Sequence, residues 1–311
     1  MEVIRETTEI ASQVDGLPLS VMEIVPDKEP WCLVQIVHGM CEYKERYVPL
    51  MEYFARRGMA CVIHDHRGHG KSVYGAEGDL GYMYGGGGDA LVADIRLVTA
   101  YLRKKWGKKF PLALVGHSMG SLAVRCYLKK YDHLPDAVIL CGSPSRNPFR
   151  KLGQVLVGLE GKLCGARHPS RLMQTLTFGP WAARFADENS AYAWICTDPA
   201  VVNQYETSDL CGFPFTVDGY RALLELMKET YSGKGWRCKN PDLPILFISG
   251  GDDPCMGNVR KFKQALDCMR MAGYRNVRGK IYPNLRHELF NERKKEKIYG
   301  NCYCFIREKL V

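Results

Sequence analysis

Short apolar runs alternate with longer amphipathic segments along most of the chain. Most of these runs are largely hydrophobic and rich in β-branched residues, which is typical of strands that are buried on both faces. The pattern predicts strands at residues 19–25, 31–37, 60–63, 112–115, 137–141, 245–248 and 277–281, with a further candidate at 3–10.

Between these runs, apolar residues recur at the 3.6-residue spacing of a helix. In the segment 90–106 this spacing places Leu91, Ile95, Val98 and Leu102 on one face. Further helices are predicted at 47–57, 122–130, 259–271 and 293–310. Buried strands that alternate with amphipathic helices predict an α/β fold, in which a mostly parallel sheet carries helices on both faces.

The alternation stops between about residues 147 and 228, where helical patterns continue without a convincing buried strand. Bulky apolar residues are frequent there, namely Leu152, Val155, Leu156, Leu159, Leu163, Met173, Leu176, Phe178, Trp181 and Phe185. A helical insertion between two strands of an α/β core is suited to act as a lid. We expect core segments at 1–146 and 229–311 and a lid at 147–228, with Phe178, Trp181 and Phe185 as candidate substrate contacts.

The strongest chemical signal is the sequence Gly116-His117-Ser118-Met119-Gly120, between a predicted strand and a predicted helix. A G-x-S-x-G sequence in this context forms a sharp turn that exposes a serine hydroxyl. Glycines are needed on either side because side chains there would clash with the neighbouring backbone. Ser118 is therefore the candidate nucleophile, and the N-terminus of the following helix would bring N–H groups to a developing oxyanion.

A serine hydroxyl is a weak nucleophile unless a base accepts its proton. Of the eight histidines, His287 follows the last predicted strand, where the base falls when the triad runs in the order Ser, acid, His. The acid would then come from the loop after the preceding strand, which contains both Asp252 and Asp253. Either aspartate could instead cap a helix, since Pro254 follows directly.

An oxyanion hole needs two backbone N–H donors. One is expected from Met119, directly after the candidate nucleophile. The second is expected from the loop His38-Gly39-Met40-Cys41-Glu42, which follows the predicted strand 31–37, with Met40 as the donor.

Two glycine-containing stretches match phosphate-binding loops only in part. Gly70-Lys71-Ser72 ends like a phosphate loop, but the first glycine of that motif would have to stand at position 65, which is Asp65. The run 85–88 has no strand leading into it and no dinucleotide fingerprint after it. We interpret the first stretch as a structural turn and the second as a flexible loop before the helix at residue 90.

Composition excludes several classes of protein. Hydrophobic residues make up 46% and charged residues 25% of the chain, which excludes disorder. No apolar run approaches the roughly 18 residues of a membrane helix, and the N-terminus lacks the apolar region of a signal peptide. The thirteen cysteines are scattered without a CxxC pair, so we expect reduced thiols, no zinc site and a cytoplasmic protein.

The net charge is +9, and basic residues concentrate at 103–109 and 293–297. Both runs lie at or within predicted helices, where a solvated helix face is the simplest interpretation. Attraction to anionic lipid or nucleic acid is the alternative. Of these two we expect at most a weak contact with a membrane surface, and no nucleic-acid partner.

Several motifs occur in one order along the chain: His38-Gly39, 65–72, 116–120, 250–253 and Arg286-His287-Glu288. Together they resemble the monoacylglycerol lipase and lysophospholipase group of α/β-hydrolases, from about residue 3 to residue 310, and the segment 209–216 resembles the bacterial members. The resemblance implies Ser118 as nucleophile, Asp253 as acid and His287 as base, with Met40 and Met119 as oxyanion donors. In that group the acid stands three residues after the glycine that ends the strand, which favours Asp253 over its neighbour.

The candidate residues and the resemblance together predict a serine hydrolase that cleaves carboxylic esters of hydrophobic acyl chains. The substrate is expected to be a small ester or lipid of the monoacylglycerol or lysophospholipid type, and no metal or organic cofactor is needed. A thioesterase, a terminal peptidase or an acyltransferase would use the same residues, since fold and triad do not fix the substrate. A protein that binds small molecules without turnover is a further alternative, against which the intact Ser, His and Asp set argues.

Overall fold

A computed structural model describes residues 2–75 and 79–310. Eight strands in these ranges form one sheet in the order β1-β2-β4-β3-β5-β6-β7-β8. They are β1 (Val3–Ala11), β2 (Pro18–Pro26), β3 (Cys32–Val37), β4 (Met59–His64), β5 (Leu112–His117), β6 (Ala137–Cys141), β7 (Ile245–Gly250) and β8 (Val277–Tyr282). Only the pairs β1–β2 and β2–β4 are antiparallel, so the predicted mostly parallel sheet is confirmed.

Helices cover both faces of this sheet. The helices of the described ranges are α1 (Val48–Ala55), α2 (Gly87–Trp106), α3 (Met119–Tyr131), α4 (Arg150–Cys164), α5 (Arg171–Ala183), α6 (Pro199–Glu206), α7 (Val217–Thr230), α8 (Val259–Met271) and α9 (Lys295–Leu310). Apolar residues of α2, α3 and α8 pack in one core cluster, and those of α1 and α9 pack in another. No helix of the described ranges is both long and apolar enough to span a membrane.

The start of α2 differs from the sequence-based prediction. Residues 85–88 were expected to form a flexible loop, but the helix already begins at Gly87. The Gly88 N–H donates to a carboxylate oxygen of Glu225 at 3.1 Å, and the Gly85 N–H donates to Asp218 at 3.0 Å. Both carboxylates belong to α7: Glu225 satisfies an N–H group that the first turn of a helix leaves free, and Asp218 binds the residue just before the N-cap. Glu225 and Asp218 lie more than 130 positions from these glycines in sequence, so the local sequence pattern could not indicate the contacts.

The stretch Gly70-Lys71-Ser72 is a turn tied to the sheet. The Ser72 hydroxyl donates to the Asp65 carbonyl at 2.7 Å and accepts the Ser20 N–H at 2.9 Å. The Lys71 N–H donates to the Asp65 carboxylate at 3.0 Å. These bonds explain why the stretch forms a structural turn and not a phosphate-binding loop.

The chain between β6 and β7 contains α4 to α7, and no strand of the sheet comes from this described segment. α7 packs against α2 and α3 of the core as well as against α4. It ends at Thr230, slightly beyond the boundary expected at residue 228. The helix therefore links the inserted segment to the layer that covers the sheet.

The carboxyl ends of the parallel strands lie along one edge of the sheet. In α/β folds this edge is where loops from different strands converge on a ligand. The loop after β3 carries Met40, the turn after β5 carries Ser118, and the loops after β7 and β8 carry Asp253 and His287. The topology thus brings together residues that are up to about 250 positions apart in sequence.

Gly120 allows α3 to lie directly against the end of β3. A Cβ atom at this position would stand 2.2 Å from the Val37 carbonyl oxygen and 2.3 Å from that of His38. Both atoms belong to the backbone of a central strand and its loop, so they cannot move aside like a flexible side chain. This glycine sets the distance between the turn at Ser118 and the loop after β3.

We predict that Gly120→Ala lowers the free energy of unfolding by about 1–3 kcal/mol, because the added methyl group overpacks a rigid contact. The matched control is Gly158→Ala in α4, where an added Cβ meets nothing within 4 Å. That substitution should instead raise the stability by about 0.5–1 kcal/mol through helix propensity. Urea denaturation followed by circular dichroism measures both, and equal stabilities of the two variants would contradict the close-approach argument.

Candidate active site

Ser118 lies in a strained turn between β5 and α3. Its φ of 49° and ψ of −119° are in a region that residues with a Cβ rarely adopt. The Ser118 N–H donates to the Cys141 carbonyl at 2.9 Å, and its carbonyl accepts the Ser121 hydroxyl at 2.6 Å. These bonds fix the backbone, and the residue lines a large cavity at the carboxyl edge of the sheet.

His287 and Asp253 meet in a buried hydrogen bond. The His287 Nδ1 lies 3.0 Å from the Asp253 Oδ1, and both side chains are buried. The same carboxylate accepts the Cys255 N–H at 2.8 Å and the Ser249 hydroxyl at 3.2 Å. With its oxygens engaged on several sides, the carboxylate holds the imidazole in one orientation.

Asp253 and His287 each shift the pKa of the other toward the charged form. Burial alone would lower the pKa of His287, but the Asp253 carboxylate and the neighbouring Cys255 raise that pKa well above its ordinary value. Burial alone would raise the pKa of Asp253, but His287 and the hydrogen bonds to the carboxylate lower it. A carboxylate that stays charged keeps the proton on Nδ1 and leaves Nε2 to act as the acid–base atom.

The two adjacent aspartates have different surroundings. Asp253 is buried against His287, whereas the Asp252 side chain is 45% exposed and its Oδ1 lies 3.4 Å from an Arg184 nitrogen. The Asp252 N–H donates to the Leu285 carbonyl at 3.0 Å, which ties this turn to the loop after β8. The structure therefore brings Asp253, and not its neighbour, to the imidazole.

Two further rings enclose the imidazole of His287. The His117 ring centroid lies 4.8 Å from that of His287, and the Trp194 centroid lies 5.3 Å from it. Burial, with a contribution from His287, lowers the pKa of His117 to about 3, so His117 is a neutral packing partner. Trp194 comes from the inserted segment and was not identified from the sequence, where nothing distinguishes it from the other apolar residues of that segment.

The loop after β3 lies against the Ser118 turn. A Cβ added to Gly39 would stand 3.1 Å from the Ser118 Cβ. The Gly39 N–H donates to Glu42 Oε1 at 2.5 Å, and the Cys41 N–H donates to His69 Nε2 at 3.2 Å. The N–H groups on either side of Met40 are thus bonded within the protein, while Met40 itself lines the cavity.

A buried charge network that sequence reasoning missed supports this loop. Arg46 donates to both carboxylate oxygens of Glu288, at 2.7 and 2.6 Å, and to Glu42 at 3.2 Å. Burial, partly offset by Arg46, raises the pKa of Glu42 to about 7. Glu288 directly follows His287, so the network joins the loop after β3 to the candidate base. In the sequence, the only signal for this network is the position of Glu288 directly after His287.

The cavity has a volume of about 570 Å³ and a mostly apolar lining. Ser118, Met119 and His287 stand at its wall, together with Phe178 and Trp181 of α5. The Phe178 ring stacks on Trp194, with centroids 5.5 Å apart and planes inclined by 12°. A cavity of this size and character suits a hydrophobic chain next to the serine.

Phe185, a candidate substrate contact, is not among the residues that line the cavity. Its ring is buried in an apolar cluster of the inserted segment and lies under the Arg286 guanidinium, 4.1 Å from ring centroid to Cζ. Arg286 also donates to the Ala193 carbonyl at 2.6 Å, which fixes it over the ring. Phe185 therefore packs the inserted segment on the loop that carries His287.

Asp253, Cys255 and His287 place possible metal-ligand atoms within 4.8 Å of one another. Sulfur, nitrogen and oxygen donors of this kind suit zinc in principle. The His287 Nδ1 and the Asp253 Oδ1 are, however, hydrogen-bonded to each other. The hydrogen-bonded pair accounts for this cluster without a metal ion.

Several known proteins are similar to this chain over most of its length. It is 27% identical over 282 residues to a monoacylglycerol lipase of Mycolicibacterium smegmatis, with 90% of each chain covered. It is 24% identical over 276 residues to phospholipase YtpA of Bacillus subtilis, covering 89% of this chain and 95% of the relative. An uncharacterized abhydrolase domain-containing protein of Dictyostelium discoideum is 26% identical over 299 residues, which are 95% of this chain but only 28% of that protein.

Among solved structures, a thermostable carboxyl esterase of Bacillus coagulans superposes with a TM-score of 0.89 at 22% identity, covering 99% of both chains. This likeness confirms the α/β-hydrolase fold. The family described as serine aminopeptidase, S33 (Hydrolase_4) matches residues 28–294. The similar proteins place this chain among esterase- and lipase-type enzymes. Because the family match spans well over half of the 311 residues, the chain belongs to this serine aminopeptidase S33 (Hydrolase_4) family of α/β-hydrolases.

Proposed function

We propose that this chain hydrolyses carboxylic esters of hydrophobic acyl chains through an acyl-enzyme on Ser118. The observation that carries the proposal is the arrangement at one wall of an apolar cavity. Ser118 stands there in a strained turn, and His287 lines the same cavity with its Nδ1 hydrogen-bonded to the buried Asp253. A nucleophile, a base and an orienting acid in this relation are the elements of acyl transfer.

In this mechanism the Ser118 hydroxyl attacks the ester carbonyl carbon while His287 Nε2 takes its proton. Asp253 stays ionised and stabilises the imidazolium that forms. When the carbon–oxygen bond breaks, the alcohol leaves with the proton from His287. Water then attacks the acyl-enzyme by the same steps, which releases the carboxylic acid and restores the serine.

The oxyanion is proposed to accept hydrogen bonds from the N–H groups of Met40 and Met119. Met119 is the first residue of α3, where N–H groups lack intrahelical partners and the helix dipole is positive. The neighbours of Met40 in its loop donate to Glu42 and His69, which leaves the Met40 N–H for the substrate. Two donors held in a fixed backbone stabilise charge that develops only in the transition state.

The proposed substrates are small esters or lipids of the monoacylglycerol or lysophospholipid type. The apolar cavity supports a hydrophobic acyl chain, and two similar proteins are named monoacylglycerol lipase and phospholipase. We propose that residues 147–228 act as the lid over this cavity. The thirteen cysteines, all without a disulfide bond, support a cytoplasmic location.

The family description favours a second candidate, cleavage of peptides at the amino terminus. A carboxylate that is free to pair with the substrate ammonium would favour this activity. The acidic residues that line the cavity are Glu42 and Glu288, and both are paired with Arg46. Ester hydrolysis therefore has more support than peptide hydrolysis.

We predict that Ser118→Ala lowers kcat for ester hydrolysis by on the order of 10⁴ to 10⁶. The nucleophile is lost while the cavity still binds substrate. Steady-state kinetics on p-nitrophenyl and monoacylglycerol esters measure the effect, and labelling by a fluorophosphonate should disappear in the same variant. Near-normal turnover by a folded Ser118→Ala protein would refute the mechanism. If the wild-type protein neither hydrolyses these esters nor is labelled, it is a binding protein and not an esterase.

We predict that the pH profile of kcat/KM inflects above the ordinary histidine pKa of about 6.5, with activity rising as pH rises. The base must be neutral, and Asp253 raises the pKa of His287. Asp253→Asn should lower kcat by on the order of 10⁴. It should also move the inflection to lower pH, because burial then lowers the pKa of His287 without the opposing charge of Asp253. The control Asp252→Asn removes an exposed carboxylate and should change neither quantity appreciably. The assignment is reversed if Asp252→Asn is the impaired variant.

We predict a preference for medium or long acyl chains over acetate, since each buried methylene contributes up to about 0.8 kcal/mol. Leu176 lines the cavity, whereas Leu172 of the same helix does not, and their side chains are similarly exposed at 53% and 49%. Leu176→Ala should lower kcat/KM for long esters by up to about tenfold, and Leu172→Ala should not. A series of p-nitrophenyl esters tests this; a maximum at acetate would reject the acyl cavity.

A further inference from the structure

A second cavity of about 280 Å³ adjoins the apolar one, and its charged residues are all basic. Arg146, Arg150, Lys151 and Lys228 line it, and no acidic residue does. The two cavities share Arg146, Arg150 and Met227 in their walls. A group bound among these cations is therefore next to the space proposed for the acyl chain.

Nearby carboxylates do not neutralise these cations. In the described ranges, no carboxylate oxygen lies within 4.0 Å of the charged nitrogens of Arg146, Arg150 or Lys151. Arg150 donates to the neutral Gln154 side chain at 2.6 Å. Lys228 lies 3.4 Å from Glu229, in a solvent-exposed pair that contributes little. The residues that line the cavity thus carry a net positive charge.

The adjacent helix end adds to that positive charge. Arg150 is the first residue of α4 and Lys151 is the second, the first turn contains no acidic residue, and the N-cap Phe149 provides no side-chain acceptor. Cations at the positive end of a helix dipole are unfavourable by themselves. An anion bound in this cavity would relieve the repulsion among the cations and the dipole.

The position of this cavity relative to Ser118 fits a single amphiphile. Arg146 is four residues after Gly142, where an added Cβ would stand 3.1 Å from the His287 ring. Four residues of backbone span at most about 14 Å, which limits the distance from Gly142 to Arg146. The arginine side chain can extend back toward Ser118 over part of that distance. A headgroup a few bonds from the ester can therefore reach the cations while the ester is at Ser118.

We propose that this basic cavity binds the phosphate of an anionic monoacyl lipid, whose acyl chain occupies the apolar cavity. The inference rests on the proposed esterase function and specifies its substrate as a phosphate-bearing monoester, such as an acylglycerol phosphate. Arginine binds phosphate through a planar fork of donors, and lysine adds a compact charge. A neutral glycerol headgroup would leave these cations unpaired.

The first test compares kcat/KM for 1-dodecanoylglycerol 3-phosphate and 1-dodecanoylglycerol, both below the concentration at which they aggregate. The wild-type ratio should favour the phosphate ester, and the double variant Arg146→Gln/Arg150→Gln should lower the ratio by about tenfold or more. The charge-matched control is Lys162→Gln/Lys263→Gln, at exposed positions outside both cavities. The inference is overturned if the ratio does not fall, or falls equally in the control.

Raising the salt concentration provides an independent readout. Ions screen the attraction between exposed charges, so the wild-type ratio should fall as ionic strength rises. In the arginine double variant the ratio should depend much less on salt. If circular dichroism shows that the double variant does not fold, the same measurements are made on Arg146→Gln alone.

A binding measurement separates failure of this inference from failure of the esterase proposal. In the Ser118→Ala protein, dodecyl phosphate should bind more tightly than dodecanol, as followed by the fluorescence of Trp181 and Trp194 in the apolar cavity. If neither ester is hydrolysed but this preference exists and depends on the arginines, the anion site stands and the esterase proposal fails. If the neutral ester is hydrolysed and no phosphate preference exists in either assay, the inference alone fails. Inorganic phosphate that competes as strongly as dodecyl phosphate would identify a site for free phosphate and overturn the headgroup assignment.

Discussion

The strained backbone at Ser118 is the constraint on which the rest of the site depends. A non-glycine residue with φ of 49° costs on the order of 1–3 kcal/mol and persists only where its surroundings over-determine it. Here the Cys141 carbonyl holds the N–H on one side, and Gly120 allows α3 to press against the end of β3 on the other. The turn, the helix and the loop after β3 are therefore one packed unit, and the backbone that carries the hydroxyl is fixed.

Buried charges extend this unit to the candidate base. Removing one partner of a buried pair leaves an uncompensated charge, so such groups hold each other in place. Asp253 fixes the His287 ring, and Arg46 binds Glu288, the next residue, together with Glu42 of the loop after β3. The proposed base and the proposed oxyanion donor are thus connected through one arginine. A shift of either loop would break hydrogen bonds at both.

The sequence predicted the parts of the structure that local pattern determines. The sheet strands, the turn at Ser118 and the position of His287 after the last strand follow from apolar runs and glycines within a few residues. The start of α2 at Gly87 did not follow, because its N–H groups bind Glu225 of a distant helix. For the same reason the contact of Trp194 with the base, and the packing of Phe185 under Arg286, were beyond sequence pattern. Each depends on how the inserted segment folds back over the core.

Chemistry and specificity occupy different parts of this chain. Ser118, Asp253 and His287 stand on loops of the sheet, whose geometry the core fixes, and Glu42 and Glu288 next to them are both paired with Arg46. The uncompensated cations stand instead in the inserted segment, at the start of α4. A charge that is not needed to hold the fold together is free to interact with a ligand. On the proposed mechanism, the α/β core keeps one reaction while substitutions around Arg146 and Arg150 change the proposed choice of headgroup.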